Sequence, residues 1–449
     1  MVVNVVKATR PAWRVNVAET LLDVHLDARA RSALRFPGGE WSYDELTRRV
    51  SGFAAELRAR GVVPGDRVAL ALPDGPVWVV AFLALMRVGA VAALVPESLS
   101  HEGRREAILR AYPSLVIANE PGLWPDGPVL SPNASDGGSN LGDDSAATRG
   151  DDPAYLLLTS GSTGPSKWAL HRQRDIPVCL RTYGRHVLRL RPGDVTYSTA
   201  SLASSYGLGN SLYFPLGAGA CAWIDGRRAS PAGAADACVE GRVTVMLGVP
   251  TFWARLARHV ADGRVDPSAF RQVRLAVSAG EPLLDAVWDA VNRALGIELV
   301  DGLGSSEASN LYLSNHPGHV VRGTVGRVVP GFDLMVCDTN GVRVAQGEVG
   351  ELLVRGGSVM QGYLGDEPAT RRALVDGWLH TGDLVAENHD GTYRFAGRLG
   401  DRFKASALWV DPHRVAAALL EDPRVTEAYV AGVPDPAGVV RVVAVVASP

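Results

Sequence analysis

Thr159-Ser160-Gly161-Ser162-Thr163-Gly164-Pro165-Ser166-Lys167 is the stretch on which the reading of this chain turns. It follows an apolar run, Tyr155 to Leu158, with the look of a buried strand. Seven of its nine residues are Gly, Ser or Thr, and it ends on a lysine. Backbone N–H groups, hydroxyls and one cation suit a ligand with several anionic oxygens, most economically a nucleoside triphosphate. The lysine stands out because the chain holds only Lys7, Lys167 and Lys404 among 45 Lys and Arg residues. Such a segment can also be a plain turn or linker, as Ser131 to Gly150 reads. It is not the common P-loop: Ser166 precedes the lysine, and Trp168 stands where Ser or Thr would meet the metal.

Around this loop the chain alternates strand and helix. Val17 to Leu34 has helical apolar spacing. Ser42 with Glu45 forms a capping box for a helix running to Gly61, and strands are expected at Asp66–Leu72 and Val91–Val95. After the linker, strands are expected at Val195–Ser198, Val243–Leu247, Leu275–Ser278 and Glu298–Asp301. That rhythm predicts parallel α/β units. From Gly323 to Arg355 short strands and turns, including Asp338-Thr339-Asn340-Gly341, predict a smaller antiparallel unit.

At 449 residues two or more domains are expected. A hydrophobic share of 47% and a charged share of 21% describe a folded protein, and a net charge of −3 gives no reason to invoke nucleic acid or an anionic membrane. The apolar stretch Trp78–Val91 is too short for a membrane span and reads as a core helix. Four scattered cysteines and the lack of a signal peptide at Met1 to Val17 point to the cytoplasm.

Four further segments combine chemistry-bearing residues. Asp301-Gly302-Leu303-Gly304-Ser305-Ser306-Glu307 offers flexible backbone, hydroxyls and a carboxylate suited to Mg²⁺ beside a triphosphate, or is a simple strand-to-helix turn. Thr381-Gly382-Asp383 is a turn, or an Asp able to accept from two ribose hydroxyls. Gly397-Arg398-Leu399-Gly400-Asp401-Arg402-Phe403-Lys404 is a charged turn, or an Arg against a nucleotide with a hinge beyond it. Ser204-Ser205-Tyr206-Gly207-Leu208-Gly209-Asn210 is core, or the floor of a pocket for a planar ligand.

In this order the segments resemble the adenylate-forming superfamily of acyl-CoA synthetases, peptide-synthetase adenylation domains and luciferases. Within it, Tyr206–Leu212, Ser278–Leu283, Asp301–Glu307 and Leu313–Asn315 are most similar to benzoate-type aryl-CoA ligases and stand-alone aryl-acid adenylating enzymes. The resemblance implies an α/β fold. A large N-terminal domain, residues 1–397, would hold two parallel α/β subdomains and a small antiparallel β-barrel-like unit. A hinge at 398–401 and a shortened α+β C-terminal domain at 402–449 would follow.

It also implies an aryl carboxylic acid activated with ATP and Mg²⁺ to an acyl-adenylate. The acyl group would then pass to coenzyme A or to the phosphopantetheine of an acyl or peptidyl carrier protein. Lys167, Ser306 and Glu307 would be catalytic, with Glu307 on the metal. Thr159, Ser160, Gly161, Ser162, Thr163, Gly164, Gly280, Asp301, Gly302, Asp383 and Arg398 would bind the nucleotide. Tyr206, Gly207, Ala279 and Gly304 would shape the aryl pocket.

Two departures stand out. The usual hinge Asp or Lys is Gly400, and the 45 residues after Lys404 contain no lysine where the family's second catalytic lysine is expected. That implies either a chain that is naturally shortened or cut, a lysine supplied by another polypeptide, or an impaired or assisting homologue that binds ligands without efficient turnover.

Overall fold

The computed structural model describes residues 14–125, 127–132, 145–159, 166–401, 403–405, 408–410, 412–420, 422, 424–425, 427–435 and 439–447. Two large sheets dominate. In the seven-stranded sheet, Pro153–Thr159, Val91–Leu94, Arg67–Ala71, Leu115–Ala118 and Val129–Leu130 run parallel. Lys167–Arg172 and Gly362–Tyr363 extend it antiparallel on one side. In the nine-stranded sheet, Leu299–Gly304, Leu275–Ser278, Val245–Gly248, Val195–Ser198, Cys221–Trp223 and Ser32–Phe36 form the parallel centre, with antiparallel strands at both edges. The expected parallel α/β units are present, and so is the antiparallel unit. Its five strands are Phe332–Cys337, Val349–Gly356, Trp378–Glu387, Leu374–Val375 and Tyr393–Arg398.

One core joins these sheets. The helix Pro76–Val88 is buried on nearly every side, with Trp78 stacked on Phe82, and it belongs to one apolar cluster that also takes in Leu70, Leu94, Leu34, Val245 and Leu352 from all three sheets. Continuous apolar sequence suits a helix between layers better than a one-sided surface helix. Even its Arg87 is buried, held at 2.9 Å by Asp23. Among the described residues no helix is long and apolar enough to cross a membrane.

Ser42 is the N-cap as read, with Glu45 N–H donating to Ser42 Oγ at 3.1 Å, while the Glu45 carboxylate accepts from Arg49 at 2.9 Å, and the helix runs from Tyr43 to Ala59. The helix expected over Val17 to Leu34 is corrected. Asn16 caps a helix of only Val17–Leu22, a 3₁₀ turn spans Asp23–Ala28, and Ser32–Phe36 is a strand. Ala33 and Leu34 are apolar because the sheet buries them. The Pro37-Gly38 turn, with Gly38 at φ +84°, folds the chain back into Gly39–Ser42. The last parallel strand is also longer than expected: Asp301 to Gly304 lie within it, because Gly302, Leu303 and Gly304 pair with Leu311–Ser314.

Candidate active site

The candidate residues gather beyond the carboxyl ends of the parallel strands, the usual ligand side of open α/β sheets. Thr159 ends one strand and Lys167 begins the next. The two are register partners, and Lys167 N–H donates to Thr159 Oγ1 at 3.3 Å. They close the base of the loop whose Ser160, Gly161, Ser162, Thr163 and Gly164 lie outside the described residues.

Lys167 and Glu307 meet across one aromatic ring. Strand pairing sets Tyr363 beside Ala169, two residues along from the lysine. Lys167 Nζ lies 5.3 Å from the Tyr363 ring centroid, within cation–π reach, and Tyr363 OH donates to Glu307 Oε1 at 2.9 Å. Burial, with the nearby Glu307 carboxylate, pushes the Tyr363 phenol well above its ordinary range, so it remains a donor. Glu307 follows Ser306, whose Oγ lies 3.4 Å from Ser205 Oγ.

Asp383 lies in the antiparallel unit and pairs in register with Arg398. Arg398 Nε donates to Asp383 Oδ1 at 2.8 Å, and Tyr312 OH donates to Oδ2 at 3.2 Å. Asp383 is buried, which raises its pKa above the ordinary value. Arg398 opposes that shift without cancelling it. The turn before it is fixed: Thr381 OH donates to the Leu352 carbonyl at 2.7 Å, and Gly382 sits at φ +72°.

The third group lines the ends of adjacent strands. Asp301 pairs with Ser278, and Ala279 and Gly280 follow at once, Gly280 at φ +91°. Burial drives the Asp301 carboxyl well above the carboxylate range, and its Oδ1 has no hydrogen-bond partner among the described residues. Tyr206 OH and both amide atoms of Asn210 are buried without a partner among the described residues, as are Tyr183 OH and Ser278 Oγ. Tyr183 and Asp301 both act electrostatically on Tyr206. Buried polar atoms normally find partners, so such a concentration marks a place for water or ligand.

Two glycines of the aryl set have a packing reason of their own. A Cβ on Gly207 would fall 1.9 Å from the Ser201 carbonyl oxygen, and one on Gly304 would fall 2.4 Å from that of Asn310. After Ser205–Leu208 the chain continues into a π-helical turn, Gly209–Tyr213, a form often found beside functional sites.

Tyr363, Tyr312 and His171 were not among the residues expected from sequence. Pairing with the Lys167 strand brings in Tyr363, and contact between two sheets brings Tyr312 to Asp383; neither sits in a motif. His171 lies four residues beyond Lys167 on the same strand, a proximity that could have drawn notice. Among the described residues no group of three or more His, Cys, Asp or Glu forms a metal cage.

Residues 26–364 match the family model for AMP-binding enzymes. The benzoate–CoA ligase of Thauera aromatica is 32% identical, over 96% of this chain and 85% of its own length. The anthranilate–CoA ligase of Pseudomonas aeruginosa is 34% identical, over 83% of this chain and 75% of its own. The crystal structure of the anthranilate CoA ligase AuaEII in complex with anthranoyl-AMP superposes with a TM-score of 0.87 at 27% identity, covering 97% of this chain and 87% of that one. The chain belongs to the AMP-binding enzymes, the adenylate-forming acid–thiol ligases.

Proposed function

We propose that this protein activates a benzoate-like aryl carboxylic acid with ATP and transfers the acyl group to the thiol of coenzyme A. Aryl-acid relatives such as the benzoate– and anthranilate–CoA ligases favour the ring. The observation that carries the reading is the joint placement of Lys167, Tyr363 and Glu307, with Asp383 and Arg398 set in the neighbouring unit.

In the first half-reaction an acid oxygen forms a bond to the α-phosphorus as the bond to the β-phosphate oxygen breaks, and pyrophosphate leaves. Lys167 and the loop from Thr159 hold the β- and γ-phosphates, so that leaving charge builds up against a fixed cation. Ser306 donates to the α-phosphate. Asp383 accepts from the ribose hydroxyls while Arg398 holds its other side. Asp301, Gly302 and Gly280 line the adenine. Tyr206, Gly207, Ala279 and Gly304 shape the aryl pocket. In the second half-reaction the thiol sulfur bonds to the acyl carbon, the bond to AMP breaks, and the thiol proton goes to solvent.

Glu307 suits Mg²⁺. It is a hard oxygen donor held from one side by Tyr363, and magnesium in nucleotide sites takes one or two carboxylates plus phosphates rather than a protein cage. When bound, the ion neutralises phosphate charge in the transition state. Residues 1–397 would form the adenylation core, with 398–401 a hinge before residues 402–449. Gly400, at φ +92°, gives that hinge a backbone geometry that other residues rarely adopt. A carrier-protein phosphopantetheine is the alternative acceptor.

Pyrophosphate exchange tests this, with benzoate, 2-aminobenzoate and the hydroxybenzoates as acids, followed by mass detection of the CoA thioester. Acid-dependent exchange is expected. Its absence with every aryl acid at high enzyme would sink the proposal.

A further inference from the structure

The short turn that carries Ser306 and Glu307 is gripped by its carbonyls from three directions. His171 Nε2 donates to the Ser306 carbonyl at 2.8 Å, and Met360 N–H donates to that of Glu307 at 2.7 Å. Ser358 OH donates to the Ala308 carbonyl at 2.9 Å, and Tyr213 OH to that of Ser309 at 3.3 Å. Four consecutive carbonyls therefore end on the Lys167–Arg172 strand, on the 358–360 segment and on the π-helical turn. A 3₁₀ turn of three residues cannot hold its own geometry with two internal bonds.

Two of the three grips are themselves joined. His171 is fully buried, its Nδ1 3.0 Å from Asp175 Oδ2 and 2.9 Å from Ser309 Oγ. Arg172 Nε donates to the other Asp175 oxygen at 3.2 Å, and Arg172 Nη2 donates to the Val359 carbonyl at 2.5 Å. Tyr155 OH and Ser309 Oγ are hydrogen-bonded at 2.7 Å, and the Tyr155 ring stacks on His171 at 5.0 Å. Ser309 is held at φ +66°, a left-handed backbone that serine rarely adopts, and the surrounding bonds keep it there. The strand that begins with Lys167 is thus bonded through His171 to both ends of the turn that carries Glu307, and through Arg172 to the 358–360 segment that also grips it.

We infer that His171 and Ser358 are positioning residues that set Glu307 at a fixed distance from Lys167 before any ligand arrives. The inference rests on the proposed role of Glu307 with Mg²⁺. Neither residue touches a reacting atom; each acts through the backbone carbonyl it holds. The Glu307 carboxylate meets a metal from the position that the turn gives it. A turn released at one carbonyl would still fold and still bind nucleotide through Lys167 and Asp383, but would present Glu307 less often in the right place.

Calorimetric titration of ATP into the full chain, once with excess Mg²⁺ and once with EDTA, reads this without turnover. The quantity is the ratio of the two affinities. Ser358→Ala is expected to lower that ratio about tenfold, the scale on which partners of metal ligands act, while the affinity in EDTA stays within about twofold. His171→Gln, which keeps an N–H near the Nε2 position, should retain more of the ratio than His171→Ala. If His171→Ala does not fold, Ser358→Ala and His171→Gln still decide the matter. A wild-type ratio kept by both variants, with only a lowered melting temperature, overturns the inference and leaves the proposed function standing. A wild-type ratio of one overturns the role of Glu307 itself, and the inference with it.

Discussion

Glu307 and Asp383 are both carboxylates of the proposed nucleotide site, yet they are held in opposite ways. Asp383 is fixed through its side chain: Arg398 and Tyr312 each occupy one oxygen, and the residue is buried. Glu307 is fixed through its backbone, and among the described residues its carboxylate accepts one side-chain hydrogen bond, from Tyr363. A group that must hold a ribose against water gains from a rigid side chain. A group that must complete a metal's coordination needs spare oxygen valence on a rigid main chain. The difference teaches that function and stability should separate at Glu307 and stay coupled at Asp383.

The sharpest way to break that comparison is Glu307→Gln. Mg²⁺-dependent pyrophosphate exchange is expected to fall about 10²–10³-fold, the scale for one charge-stabilising group, with little change in melting temperature. Unchanged metal dependence would remove Glu307 from the metal. Asp383→Ala should do both kinds of damage. It leaves Arg398 and the Tyr312 hydroxyl without their acceptor, and about 3 kcal/mol of stability should go with it, at the low end because Arg398 is about a third exposed. Urea denaturation measures that loss, and a wild-type midpoint would show the pair to be a passive contact. Tyr312→Phe isolates the hydroxyl alone and should cost about 1 kcal/mol.

Much of this was legible in the chain and some was not. The glycine-and-hydroxyl loop before Lys167, the Asp301–Glu307 run and the segments of Asp383 and Arg398 each read on composition as a turn or a ligand site, and only their order, through the family resemblance, marked them as one candidate site. Parallel strands announced themselves by short apolar runs. Ser32–Phe36 did not, because an edge hairpin of five residues after a helix has too few positions to separate period 2 from period 3.6. Tyr312 and Tyr363 were illegible for another reason: Tyr363 comes beside the Lys167 strand by pairing with Ala169, Tyr312 meets Asp383 across two different sheets, and such long-range placement leaves no local trace. His171 is intermediate, close to Lys167 in sequence but given its task by the partners that the fold brings.

A further expected effect concerns a third carboxylate, and it sharpens the contrast by pH. Asp74 holds the loop that leads into Ser205 and Tyr206: its Oδ1 accepts from Ser201 OH at 3.1 Å, and its Oδ2 from Leu202 N–H at 3.1 Å. Burial pushes its pKa up to about 6 from 3.8, against those two bonds. The folded state therefore keeps the proton longer than the unfolded chain does. Between pH 3.8 and about 6 the unfolded chain ionises first, so stability falls as pH rises through that window and is flat above it. Asp74→Asn cannot ionise, and its one carbonyl oxygen can take the place of Oδ1, which lies 3.1 Å from Ser201 Oγ and 3.2 Å from Leu202 N. Its stability relative to wild type should rise by about 2 kcal/mol from pH 4 to pH 7, read by denaturation at each pH. A difference that does not change with pH would mean that Asp74 ionises as freely in the fold as outside it. Its hold on the loop would then resemble the tight side-chain pairing of Asp383 less than the open carboxylate of Glu307.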